Sequence, residues 1–423
     1  MRKKGQLTAI SAKKIGPSPS LISTTGTIAV GLLLWLIATS PKHLVYDEPY
    51  HIGLAENIFH QGLGQALVDP KNQSAAGPLF AVFHLAFAPI THLAAPAIRW
   101  INFLLLLVVV ALTGLTRTRT MNDSKPIDSG AIALLGVPFL WPATGMALTE
   151  IPALVFFCGF VLCIQRLCCK SQKQGSPGKL AVWAVSAGIC LGLAILGRQT
   201  YLIILPSFLV LFFLGTVKPR LLALSLLSTG VVSGWLFFIW GGLVPPSQAK
   251  VNSGLQPEHL LYSVAYVASA TTFISPRWLC PKDWKSALIA AMVGTFVAVS
   301  IRDHGDPPAK SLLLRLLGSE AGYTIGVVIF AFMGALGTLW ILNTCTVLWS
   351  RRDDPFQIFA GVLLLSLVIA PVKVSHLFSS RYVVGLLGVL ILVLPPQRSS
   401  LLAVRILIGS ALGAAILWSY YQR

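Results

Sequence analysis

Apolar runs of about eighteen or more residues recur along this chain, separated by short polar or basic stretches, and each is long enough to cross a bilayer as a helix. A backbone surrounded by lipid has to satisfy its own hydrogen bonds, so such runs call for helices. The sequence predicts an all-α polytopic membrane protein with little room for a soluble domain. Composition agrees, with 55% hydrophobic and 11% charged residues. A soluble chain of this length would expose far more charge. The net charge of +18 sits in short Lys and Arg clusters between apolar runs. That placement fits the cytoplasmic excess of positive charge in membrane proteins, not a nucleic-acid-binding stripe.

Charge also sets the expected topology. Residues 1–20 form a basic tail, with Arg2, Lys3, Lys4, Lys13 and Lys14, and are placed in the cytoplasm. Residues 21–423 read as one transmembrane domain. Its first run, Leu21–Ser40, has no small-residue cleavage site after it and reads as a retained helix. Residues 41–94 become the first outer-face loop, carrying juxtamembrane helices. Within it Pro78–Thr91 is short for a span and carries His84. If it crossed, Arg117, Arg119 and Lys125 would fall outside, so it is placed as an interfacial helix. The remaining spans are expected at Ala95–Thr116, Asp128–Met146, Thr149–Leu167, Leu180–Gly197, Thr200–Val217, Leu221–Leu243, His259–Ser275, Ser286–Ile301, Tyr323–Trp349, Phe356–Val372, Tyr382–Leu394 and Leu401–Tyr420. With the first run these make about thirteen.

The seven cysteines give neither a disulfide framework nor a metal spacing. Cys158, Cys163, Cys190 and Cys345 lie within apolar runs, and Cys168 and Cys169 are adjacent. That adjacent pair has the membrane-edge setting of palmitoylation, although packing accounts for it equally simply.

The polar stretch Val45–His51 interrupts this pattern. Asp47, Glu48, His51, Glu56, His60 and Asp69 crowd into it and its continuation, although the whole chain has only 14 acidic residues. Asp47 stands just before Glu48-Pro49, a helix-start signal, and capping accounts for one acid. The second acid is left over, and a carboxylate at a membrane edge can take a proton from a hydroxyl nucleophile. His51, one turn on, can orient Asp47. The Asp-Glu-x-x-His string has too few ligands for a zinc helix.

Three further outer-face groups sit at expected helix ends. Glu150 opens a helix, where the dipole alone would favour an acid. Arg198, followed by Gln199, falls between two apolar runs and either snorkels to headgroups or binds phosphate. Lys373, His376 and Arg381 carry the same two readings. Ionisable groups near membrane depth are candidates for function. Paired acids facing Arg and Lys, beside an opening to lipid, suit a lipid-phosphate sugar donor: the acid activates a hydroxyl and the cations steady the leaving phosphate.

The chain resembles the membrane-embedded GT-C glycosyltransferases that use polyprenyl-phosphate sugars, which place an acid pair directly after helix one, as Asp47-Glu48 stands here. It is most similar to the dolichyl-phosphate-glucose α-1,2-glucosyltransferase branch. The matching residues, in order, are Asp47, Glu48 and His51; Asp69-Pro70 with Gly77-Pro78-Leu79; Thr149-Glu150; Arg198-Gln199-Thr200; Gly241-Gly242; and Arg381-Tyr382. The long outer loop with an Asn-Arg-His-Tyr string is missing, which leaves the acceptor open and makes a bacterial relative as good a reading.

The resemblance implies inverting transfer of a sugar, with glucose the example, from a polyprenyl-phosphate donor to a hydroxyl on a lipid-linked glycan or other acceptor. Asp47 would be the base, and Glu48 and Glu150 would bind acceptor or sugar. Arg198 and Gln199, with Lys373 or Arg381, would hold the phosphate, and His51, Asp69 and His376 would support them. No cofactor is expected, a divalent metal is left open, and no nucleic-acid partner is implied. The bacterial inner membrane is favoured over the endoplasmic reticulum, with the active site on the outer face. A transporter or lipid flippase is the rival, but no matching halves occur and the key charges lie at helix ends.

Overall fold

The computed structural model describes residues 19–72, 74–120, 129–172, 176–249, 254–304, 318–374, 378–394 and 400–422, and among them there is no strand. Helix α1 (Pro19–Ala38) covers the first apolar run. Four short helices follow: α2 (Glu48–Gln61), α3 (Leu63–Val68), α4 (Leu79–Ala86) and α5 (Ala88–Thr91). Then come α6 (Ala97–Thr120), a 3₁₀ segment (Ser129–Gly136), α7 (Leu140–Gly145), α8 (Glu150–Gln172) and α9 (Pro177–Gly197). A 3₁₀ segment (Gln199–Ile204) leads to α10 (Ser207–Phe213), α11 (Pro219–Trp240), α12 (Glu258–Ile274) and α13 (Trp284–His304). Last are α14 (Ser319–Ser350), α15 (Pro355–Ile369) with a 3₁₀ turn (Ala370–Lys373), α16 (Arg381–Val384), α17 (Leu387–Val393) and α18 (Ser400–Tyr421).

Local chemistry fixes several of these boundaries. Helices α9, α11 and α15 open on proline, whose fixed φ suits the first turn and whose missing N–H is no loss there. Asp354 caps α15 by accepting from the Phe356 and Gln357 amides at 3.1 and 3.2 Å. Helix α11 stops at Gly241, whose φ of +62° is left-handed and costs a glycine little.

The chain is a multi-pass membrane protein. Among the described residues, eight helices are long and apolar enough to cross: Leu21–Ala38, Ala97–Arg117, Glu150–Ser171, Pro177–Gly197, Pro219–Trp240, Ser319–Ser350, Pro355–Lys373 and Leu401–Tyr421. They coincide with eight of the thirteen expected spans; over the other five the described residues form shorter or broken apolar helices. Over the expected span Asp128–Met146 the described residues form a 3₁₀ segment and one short helix, separated around Pro138, and residues 133–150 are all buried. It packs against α18 so closely that a Cβ on Gly136 would come within 2.9 Å of the Ile406 Cα. An apolar run can face lipid or be wrapped by protein, and composition does not separate the two.

Thr200–Val217 breaks at Pro206 into a 3₁₀ segment and the seven-residue α10. Tyr382–Leu394 divides around Gly385 into α16 and α17. Helix α12 has 17 residues, and the apolar part of α13 is Trp284–Val299; neither reaches the length of the eight. Pro78–Thr91 consists of α4 and α5, of eight and four residues.

Helix α8 is the centre of the bundle, packing against α6 and α9. Small residues bring α9 and α11 together. Ser225 Oγ donates to the Ala184 carbonyl at 2.8 Å, and Thr229 Oγ1 to the Gly188 carbonyl at 3.2 Å. Lipid tails are as apolar as leucine, so close backbone approach and hydrogen bonds of this kind drive helix association. Because α8 and α9 are joined by a short connection and pack side by side, the start of α8 meets the end of α9. The ends of four elements from distant parts of the chain gather there.

Candidate active site

The acid pair divides at once. Glu48 is fully buried, and both its oxygens are filled. Its Oε1 accepts from Arg99 Nε and the Ala147 amide, each at 2.8 Å; its Oε2 accepts from Arg99 and the Val45 amide, each at 2.7 Å. Arg99 is equally buried and spends its remaining donors on Ser40 Oγ and the carbonyls of Pro41 and His43, with the Tyr421 ring 5.0 Å from its Cζ. One bidentate pair therefore ties the end of α1, the start of α2, α6, the turn before α8 and the end of α18 together. The turn it holds puts Tyr46 at a φ of +57°, a conformation that a non-glycine residue keeps only when its surroundings impose it.

Asp47 turns the other way. It precedes α2, yet its side chain makes no capping hydrogen bond. Its Oδ2 accepts from Arg381 at the start of α16. Arg381 Nε lies 3.7 Å from Glu150 Oε1, and that oxygen accepts from Arg198 at 2.5 Å. The result is an alternating chain, Asp47–Arg381–Glu150–Arg198. Glu150 is buried, and its second oxygen, Oε2, has no hydrogen-bond partner among the described residues. The Tyr382 ring lies between the two guanidinium groups, 5.6 Å from that of Arg198 and 5.4 Å from that of Arg381. Burial works against charge on Arg381, but Glu150, Tyr382 and Asp47 outweigh it and raise its pKa above the ordinary arginine value.

Arg198, Glu150, Arg381 and Tyr382 line a small pocket whose apolar side includes Leu367 and Leu386. Asp47 is not among its lining residues. Charge at one edge and aliphatic surface at the other suit an amphiphile with an anionic head.

The other sequence candidates lie around this chain without joining it. Gln199 donates to the Ala75 carbonyl at 2.9 Å, which anchors the loop before α4. His51 does not orient Asp47; its Nδ1 lies 3.0 Å from Ser74 Oγ. Burial, then the nearby charges of Arg381 and Arg198, push His51 well below the usual histidine range and keep it neutral. Lys373 is exposed and donates to the Gly254 carbonyl at 3.2 Å. Asp69 folds its own turn, accepting from the Lys71 amide at 2.8 Å. His376 lies outside the described residues. Among them, no group of three His, Cys, Asp or Glu side chains stands close enough to hold a metal ion.

Sequence reasoning missed Arg99 and Asn102. The signal was present: each is polar within the apolar run Ala95–Thr116. Asn102 donates to the carbonyls of Met146 and Leu148 at 3.3 and 3.0 Å and so fixes the approach to Glu150.

No protein-family model matches the chain, and neither does any curated protein sequence. Solved structures similar to it include ArnT from Cupriavidus metallidurans bound to undecaprenyl phosphate, at 16% identity and a TM-score of 0.48, with 95% of this chain and 77% of that one covered. The Archaeoglobus fulgidus oligosaccharyltransferase in its apo form is also similar, at 14% identity and a TM-score of 0.41, with 93% of this chain and 56% of that one covered.

Proposed function

We propose that this chain is a GT-C-like integral-membrane glycosyltransferase that moves a sugar from a polyprenyl-phosphate donor to an acceptor hydroxyl. The observation that carries the reading is the Asp47–Arg381–Glu150–Arg198 chain at the edge of a pocket with an aliphatic wall. The ordered motif resemblance supports it, with glucose the first sugar to test. The lipid sits with its phosphate toward the two guanidinium groups, whose forked donors match phosphate oxygens, and its hydrocarbon toward Leu367 and Leu386. The acceptor oxygen bonds to the anomeric carbon from the face opposite the phosphate. The carbon–oxygen bond to the phosphate breaks, and its electron pair leaves with polyprenyl phosphate. The hydroxyl proton passes to Asp47. Guanidinium contacts that strengthen as charge gathers on the phosphate lower the barrier.

Glu48, with its lone pairs filled, takes a structural part in this scheme. Glu150 positions both arginines, and its unpartnered Oε2 is available to a sugar hydroxyl. Lys373 and Asp69 have no direct part. The charge rule assigns the site to the outer face, and the missing long outer loop favours a bacterial inner membrane. Purified protein given radiolabelled undecaprenyl-phosphate glucose, with a panel of hydroxyl acceptors, is expected to release undecaprenyl phosphate. Intact donor that crosses a proteoliposome bilayer without being cleaved would instead establish a flippase.

A further inference from the structure

Both arginines that face the pocket are already engaged. Arg381 is bound by Asp47 and stands 3.7 Å from Glu150, and Arg198 is bound by Glu150 at 2.5 Å. Two positive and two negative charges cancel along the chain, so a phosphate entering the pocket competes with the carboxylates for the attraction of two guanidinium groups that are already paired. Position sharpens the point. Arg381 lines the pocket and Asp47 does not, although the two side chains are in contact. The proposed base is thus held through its Oδ2 by a guanidinium that itself faces the pocket.

Resting on the reading above, we propose that the Asp47–Arg381 contact is a latch opened by the donor's phosphate. The phosphate takes Arg381 from Asp47, and that exchange frees Asp47 Oδ2 to act as base. Arg381 can make the exchange without losing its footing. Its guanidinium lies 5.7 Å from the Tyr46 ring and 5.4 Å from the Tyr382 ring, two faces that favour a cation whichever anion it holds. Glu150 remains beside it throughout. Three consequences follow. Donor binds before acceptor is activated. Asp47 stays paired with Arg381 while the pocket is empty. After transfer, a protonated Asp47 no longer pulls on Arg381, so polyprenyl phosphate stays held until that proton leaves.

The test is affinity for undecaprenyl phosphate, measured in detergent by thermophoresis, with no turnover needed. If Asp47 competes with the phosphate, removing its charge should tighten binding. Asp47→Asn and Asp47→Ser, which differ in shape but both lack the charge, should each bind about tenfold more tightly than the unaltered protein, the scale of one charge-assisted hydrogen bond released from competition. Glu258→Gln removes an equal charge from an exposed position near the Gln256–Val372 backbone contact and should leave affinity unchanged. Undecaprenol, which has the chain without the phosphate, should gain nothing from either Asp47 change. Equal or weaker phosphate binding by both Asp47 variants, beside saturable binding by the unaltered protein, overturns the latch and leaves the donor reading standing. Tightening in Glu258→Gln as large as in the Asp47 variants also overturns the latch, since bulk charge then explains the gain. No saturable binding by any of these proteins overturns the donor reading and the latch with it.

Discussion

A carboxylate whose lone pairs are all filled by fixed donors cannot also take a proton from a substrate, and this separates Glu48 from Asp47. Glu48→Gln leaves Arg99 as a buried charge without its counter-ion, a change that costs about 3–5 kcal/mol. Thermal unfolding should show a large loss of stability. Asp47→Asn should behave oppositely: no cap is lost, so folding is little changed, while turnover falls by roughly a hundredfold, the scale for removing a positioned base. At Arg198, lysine keeps the charge but not the fork that reaches two phosphate oxygens. Arg198→Lys should therefore lower kcat more than it weakens donor binding, and normal turnover would leave Arg198 as a membrane anchor. His51 gives a pH signature. The unfolded chain takes up its proton below an ordinary pKa of about 6.5, whereas the folded chain holds it neutral to well below that. Stability should be fully present above that pH and fall as pH drops below it, by up to about 1.4 kcal/mol per unit. His84, pushed down to about 4 by burial, adds to the trend. Unfolding midpoints at pH 7.5 and 5.5 should draw closer in His51→Gln.

Helices here are joined by close approach of small residues. A Cβ on Gly188 would sit 2.2 Å from the Ser225 carbonyl oxygen, a backbone atom that cannot swing aside. Gly188→Val should force α9 off α11 and sharply reduce the folded yield in size-exclusion profiles, whereas the same change at Gly230, with open space around its Cβ position, should be tolerated. The same scale explains the broken segments. The 3₁₀ stretch at Ser129–Gly136 and helices α7 and α17 are apolar and largely buried by protein, and Pro138 and Gly385 lie where neighbouring elements break.

Across the whole molecule, the proposed function depends on bringing together the starts of α2, α8 and α16 with the end of α9. The charge rule puts Asn122 on the side opposite this cluster. In a cysteine-free background, cysteine at 122 should label only from the inside, and cysteine at Ser247 only from the outside; the reverse pattern would invert the site's orientation. The apolar runs and the class of protein they make were legible in the sequence, because spanning length is a property of a single stretch. The sequence also marked Asp47, Glu150, Arg198 and Arg381 as polar groups at helix ends, because each interrupts its own surroundings. Which carboxylate meets which cation was not legible. Asp47 and Glu48 are adjacent acids with nearly the same intrinsic chemistry, and one pairs with Arg99 while the other pairs with Arg381, more than three hundred positions away in the same numbering. Only packing sets that choice, since neighbouring residues at one helix start point in different directions, one side chain into the protein and the other toward Arg381. Packing likewise decided which apolar runs are wrapped by protein, because burial by protein and burial by membrane reward the same side chains.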